Sequence, residues 1–302
     1  MRNSMSRSTP PVQPRSCSRI RQNAGVLTRI LANAATIPGL STPSAWTIAT
    51  ALIALTALPA FAQQWGSVKG QIVWDKADPV PAAATQNVTK DQGHCLAKGP
   101  LAKDDVLIDA KSLGVKNVMI WLADTPAGGV KNIHPTLVAV PKDAVVIDQP
   151  MCGFVPRITM MRAGQSLEVH NSAPIAHNAR IAGNPDINPT INLLIPPGGK
   201  SVRDGDKALK AEKRPLLLAC DIHGWMGGRI GVFDHPYFAV TKEDGTFEIK
   251  NAPAGNILIF LQHERAGWVH EGRTSKGYSI NIPAGGSLDL KMIPFKADFL
   301  KD

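Results

Sequence analysis

The chain has 302 residues, with 33 Lys and Arg against 24 Asp and Glu, and a formal net charge of +9. The basic excess is concentrated at the start: residues 1–62 hold six arginines (Arg2, Arg7, Arg15, Arg19, Arg21, Arg29) and no acid. The remaining residues carry 27 basic and 24 acidic side chains, a net +3, so the charge is poor grounds for a nucleic-acid partner.

The segment "WTIATALIALTALPAFA", Trp46 to Ala62, is an apolar run that ends in the small-x-small pattern Ala60-Phe61-Ala62. It is shorter than the ~20 residues that a membrane span needs and has the form of a signal-peptide core. The expectation is export to the periplasm or cell surface, with cleavage near Ala62 and no membrane span in the mature chain. An uncleaved N-terminal anchor is the alternative. No Arg-Arg pair precedes the apolar run, so a twin-arginine signal is not supported.

After this leader the sequence reads as short β runs separated by Gly, Pro, Asn and Asp. Gly66–Asp75 alternates apolar and polar residues. Gly114–Asp124 is rich in β-formers. "DAVVIDQPMCGFVPRITMM" supplies one or two further strands, "SLEVHN" (Ser166–Asn171) another, and "AHNARIAG" follows it. "PLLLAC" (Pro215–Cys220) and "GRIGVFD" (Gly228–Asp234) flank a short loop. Helical patterns are few, and the strongest, "DGDKALKAEKR", suits only a turn or two before Pro215. Beyond Asp234, Asp244-Gly245 between alternating runs predicts a hairpin, and "NILIFLQHE" and "GYSINIPAGGSLDLKMI" supply three more strands. Many short strands at this spacing predict an all-β sandwich architecture. The expected organisation is a leader over 1–62, a β extension over 63–113, a sandwich over 114–234 and a second small β-sandwich module over 235–302.

The leader holds Cys17. Three cysteines remain, Cys95, Cys152 and Cys220, and an exported protein with an odd number leaves one with another task. Sequence does not determine the pairing. The natural partition joins Cys95 to Cys152 and leaves Cys220, which has His and Met beside it; two unpaired buried thiols are the alternative. "ACDIHGWMGG", Ala219 to Gly228, sets Cys220, His223 and Met226 three residues apart in one tight loop. A trigonal set of two imidazoles and a thiolate with a long axial Met is the donor set of a type 1 copper site: soft sulfur favours Cu(I), and imidazole suits both oxidation states. "EVHNSAPIAHNARI" offers the missing imidazole as His170 or His177. His177 is preferred because it lies beyond the strand and precedes Asn178.

The pattern of a strand, His177-Asn178, and then Cys-x-x-His-x-x-Met between two strands resembles the cupredoxins, and among them the amicyanin type. The resemblance implies a Greek-key β-sandwich and one copper ion held by His177, Cys220, His223 and Met226. It also implies that Asn178 ties the two ligand segments together. Trp225 falls beside an exposed His223 edge, where a redox protein partner would dock. Gly224 departs from the pattern, since the amicyanin-type loop usually has proline there. The unit from residue 235 is similar to carboxypeptidase-regulatory-like (transthyretin-like) β-modules. The whole is similar to methylamine-utilisation or plastocyanin-like exported proteins.

Catalytic signatures do not appear: there is no Gly-x-Ser-x-Gly, no His-Glu-x-x-His, no His-x-His or His-Cys-His, and no phosphate-cradling glycine loop. The expectation is an electron carrier and not an enzyme. The rival expectations are a copper-binding or delivery protein and a metal-free scaffold or adhesion protein. The oligomeric state is not legible.

Overall fold

The computed structural model describes residues 64–270 and 272–300. The expected leader and its cleavage point lie outside the described residues. In chain order the strands are β1 (Trp65–Trp74), β2 (Met119–Ala123), β3 (Val145–Ile147), β4 (Ile158–Arg162), β5 (Leu167–His170), β6 (His177–Ala182), β7 (Ile191–Ile195) and β8 (Lys200–Arg203). They continue with β9 (Leu216–Ala219), β10 (Gly227–Phe233), β11 (Phe238–Val240), β12 (Thr246–Pro253), β13 (Gly255–His263), β14 (Gly267–Trp268), β15 (Tyr278–Ile282) and β16 (Ser287–Phe295). The one α-helical turn described, α1, is Gln92–Cys95.

The protein is all-β and is built as two packed sandwiches. In one, the sheet β4-β10-β9-β6-β7 faces the sheet β3-β5-β8. Alternate residues of both sheets meet between them: Ile147, Met161, Leu167, Val169, Ala179, Ile181, Leu216, Leu218, Ile230 and Val232 share one core. In the other, the sheet β12-β1-β16 faces β11-β2-β13-β14, with β15 added to β13, around Val68, Ile72, Trp74, Ile120, Leu122, Phe247, Ile259 and Phe295.

The sheets do not part at the expected boundaries of 113/114 and 234/235. β1, expected in an N-terminal extension, is the central strand between β12 and β16. β2, expected in the first sandwich, pairs with β11 and β13. The C-terminal sandwich is therefore completed by strands from the start of the described chain. Partner choice in a sheet depends on ladders between distant segments, which local alternation does not encode.

β2 shows why its sequence carries no polar alternation. Ile120 and Leu122 enter the core of their own sandwich. Met119, Trp121 and Ala123 point the other way and join Ile158, Phe233 and Phe260 in a third cluster between the sandwiches. Trp121 stacks on Phe260 at 5.2 Å with an interplanar angle of 4°. A strand buried on both faces reads as a continuous apolar run.

Two local expectations are also revised. The Asp244-Gly245 turn forms, closed by Gly245 N donating to Lys242 O at 3.0 Å, but its flanking strands β11 and β12 enter opposite sheets. The turn is thus a corner between layers and not the tip of a two-stranded ladder. The helical candidate before Pro215 yields only a short 3-10 turn, Gly205–Lys207. Among the described residues no helix is long and apolar enough to cross a membrane.

Candidate metal centre

β9 and β10 are antiparallel neighbours, with Ala219 opposite Gly227. The loop between them is closed on itself: Cys220 N donates to Met226 O at 3.2 Å and Met226 N donates to His223 O at 2.9 Å. The strand expected from Gly228 begins one residue earlier, at Gly227. Gly228 is required there because a Cβ would lie 2.3 Å from the Arg157 carbonyl oxygen. This close approach lets β10 run beside β4, with Arg229 opposite Ile158.

β6 begins at His177 and pairs with β9 through Arg180 opposite Ala219. That register brings His177 to the loop. Donor atoms of His177, Cys220 and His223 all lie within 4.8 Å of one another, and all three residues are buried. The His177 and His223 rings have centroids 4.6 Å apart, and Cys220 Sγ lies 3.9 Å from His223 Nδ1. Met226, 3% exposed, is buried in the same core cluster as Cys220. His170 is not part of this group: it is half-exposed on β5, with Nε2 2.7 Å from Glu168 Oε2.

Asn178 links the two segments. Its Oδ1 accepts from Asp221 N at 2.8 Å, Ile222 N at 3.1 Å and Cys220 Sγ at 3.2 Å. Its Nδ2 donates to Asn192 Oδ1 at 2.7 Å. Asn192 Nδ2 in turn reaches Asp221 Oδ2 at 2.9 Å, and Arg180 Nε donates to Asp221 Oδ1 at 2.7 Å. The Arg180 guanidinium holds the Asp221 carboxyl below its usual range. This polar mesh fixes the loop from its outer side.

His177 carries the clearest chemical signal. The residue has no exposed surface, and neither ring nitrogen has a hydrogen-bond partner. Burial, followed by the neighbouring His223 and His94, pushes its pKa down to about 4 against a smaller raising effect of Asp91. The ring is therefore neutral at pH 7. A buried polar group without a partner costs about 1–3 kcal/mol. A metal ion bound at a ring nitrogen would remove that deficit at the bound atom. Two imidazoles, a thiol and a thioether from the same loop make a soft donor set that fits copper.

The surroundings of His223 overturn the expected exposed edge. His223 has no exposed surface. Its Nε2 donates to Asp91 Oδ2 at 2.8 Å, and Trp225 meets the ring edge-on at 5.2 Å. Asp91 adopts a left-handed φ of 49° and starts the single turn α1. The segment is anchored by Val88 and Cys95, both buried in the metal-side core, and by His94 Nε2 donating to Pro150 O at 3.2 Å. The expected Cys95–Cys152 disulfide is present and closes the anchor, leaving Cys220 as the free, buried cysteine among the described residues. Trp225 is half-buried, and its Nε1 is sealed from solvent without a partner. The imidazole edge near which a redox partner was expected to dock is thus roofed by residues 88–95. Sequence reading missed Asp91, since no local spacing relates it to a residue 132 positions away.

Fold and site together define an all-β protein of two sandwiches with a buried thiol–imidazole cluster at the end of one of them. No family model matches the chain, and no curated protein matches it. Among solved structures, the chain is similar to a Cu-containing nitrite reductase (NirK) from Thermus scotoductus SA-01, at 18% identity and TM-score 0.27, over 32% of this chain and 23% of that one. A reduced mutant of amicyanin is similar at 15% identity and TM-score 0.26, over 31% of this chain and 85% of that one. A purple cupredoxin from Nitrosopumilus maritimus is similar at 18% identity and TM-score 0.24, over 30% and 99%. At these scores the likenesses carry no weight in assigning the site, which rests on its own residues.

Proposed function

We propose that this protein is an exported type 1 copper protein that carries single electrons and does not transform a substrate. His177, Cys220 and His223 would hold the ion, with Met226 as the weak fourth ligand. The bound ion would supply the one-electron Cu(I)/Cu(II) couple. The observation that carries the reading is the buried His177 ring with two unpartnered nitrogens, within 4.8 Å of the donor atoms of Cys220 and His223.

The chain's own residues keep this cluster ready for metal. Asn178 holds the Cys220 end of the loop by accepting two backbone N–H groups. Asp91 accepts from His223 Nε2, which selects the tautomer whose Nδ1 lone pair is free on the side of Cys220. The burial of all three donors excludes water.

The experiment is an optical spectrum of the whole protein after addition of Cu(II). An intense thiolate-to-copper band in the visible, lost in Cys220→Ser, supports the reading. A colourless protein that retains no copper rejects it.

One observation favours a second reading, a copper-holding or delivery protein. The His223 edge is closed by residues 88–95 instead of being presented to a partner. Protein-film voltammetry separates the two: a reversible couple supports electron transfer, and copper binding without one supports delivery.

A further inference from the structure

The disulfide of this protein sits against the metal cluster. Cys95 and Cys152 are each 1% exposed, and their sulfurs lie within 4.8 Å of a ring nitrogen of His223. This is the imidazole whose Nδ1 faces Cys220 at 3.9 Å. Two groups of potential ligands, Cys95/Cys152/His223 and His177/Cys220/His223, therefore share one ring. A staple that only restrains the unfolded chain gains nothing from such a position, because its effect depends on the length of the loop it closes. Two soft sulfur donors meet here, buried against the first cluster and masked by their own S–S bond.

We propose that Cys95 and Cys152, once reduced, form as a thiolate pair a second site for Cu(I), adjoining the first across the His223 ring. An external dithiol supplies the two electrons and two protons: its thiolate attacks one sulfur of the Cys95–Cys152 bond, the other sulfur leaves and is protonated, and the reductant closes to its own disulfide. Both protein sulfurs are then thiols. Cu(I) binds to the pair with release of the thiol protons to solvent, since thiolates select this soft ion. The metal capacity of the protein thereby depends on the thiol–disulfide state of its surroundings, with one site when the bond is closed and two when it is open.

The test counts copper on the whole chain in a Cys17→Ser background. Protein with the disulfide intact, and protein treated with dithiothreitol that is then removed, are loaded anaerobically with Cu(I) and counted by native mass spectrometry. The expected result is one additional copper per chain after reduction, and no such increment in Cys95→Ser/Cys152→Ser. The proposal is overturned if the increment is zero while alkylation counts two further thiols and the near-UV circular dichroism keeps its native form. An increment that persists in the double variant overturns it as well, and so does loss of the native near-UV signal on reduction, because the site requires the fold. The count with the disulfide intact reports on the first centre alone. A count of zero there followed by one after reduction would reject the proposed type 1 site and support this one.

Discussion

His223 Nε2 and Asp91 Oδ2 lie 2.8 Å apart across 132 residues of chain. The carboxylate reaches the distal nitrogen of an imidazole whose other nitrogen faces Cys220. Partners of this kind orient a ligating histidine and typically change metal affinity 10–100-fold. Asp91→Asn is expected to weaken copper binding by about tenfold or more, measured by competition with a chromophoric chelator. An unchanged affinity would show that Asp91 only packs over the ring.

Asn178 Oδ1 accepts from two backbone N–H groups and one thiol. In Asn178→Ala the N–H groups of Asp221 and Ile222 lose their acceptor. The expected cost is about 1–3 kcal/mol in the metal-free protein, read as a lower urea midpoint. The same variant is expected to show a weakened or shifted visible band with Cu(II), because the Cys220 end of the loop is no longer held.

A buried ion-pair group joins the two sandwiches. Arg157, just before β4, pairs with Glu264, just after β13, and with Asp104. Burial opposes its charge, but Glu264 and the aspartates outweigh burial and hold the guanidinium charged. Arg157→Met leaves the Glu264 side chain, 6% exposed, without its main partner. The expected destabilisation is about 3–5 kcal/mol, at the lower end because Arg229 also faces Glu264. Arg157→Met combined with Glu264→Gln is expected to recover much of the loss in chemical denaturation. A double variant as unstable as the single one would show that packing by Arg157 matters more than its charge.

Three buried histidines set the acid response of the metal-free protein: His177, held at about 4, His235 and His263. Burial, with a smaller effect of Arg162, holds His235 at about 3. Burial, with Arg157 opposing the raising effect of Asp105, holds His263 at about 4. His263 Nδ1 accepts from Arg265 N and Ala266 N at 3.3 Å, which also favours the neutral ring. Between these values and the ordinary 6.5 the unfolded chain binds protons that the folded chain does not. Their stabilising effect is full above about pH 6.5 and is lost as the pH falls toward about 4 for His177 and His263 and about 3 for His235. Each ring contributes at most about 1.4 kcal/mol per pH unit. Thermal melting of the metal-free protein is expected to drop between about pH 7 and about pH 4.5, and less steeply in His263→Phe. A flat profile would count against a neutral buried ring.

The loop from Cys220 to Met226 was legible because its donors lie three residues apart in a single turn between strands. His177 was legible because it follows a strand and precedes Asn178. The Cys95–Cys152 pairing was legible as the partition that sets Cys220 apart. Its contact with His223 was not, because counting cysteines says nothing about what they touch. β2 was recognisable as a strand from its β-forming residues, but its sheet was not, because a strand buried on both faces has no polar side to show which layer it joins.

The sequence by itself therefore determined the all-β character and the close spacing of Cys220, His223 and Met226 between two strands, since these follow from local periodicity, turn residues and short spacings. Only the tertiary structure decided that β1 and β2 complete the C-terminal sandwich, and that Asp91 and the Cys95–Cys152 disulfide close over His223. Both depend on which distant segments bury their apolar faces together, and that is a property of the packed chain as a whole.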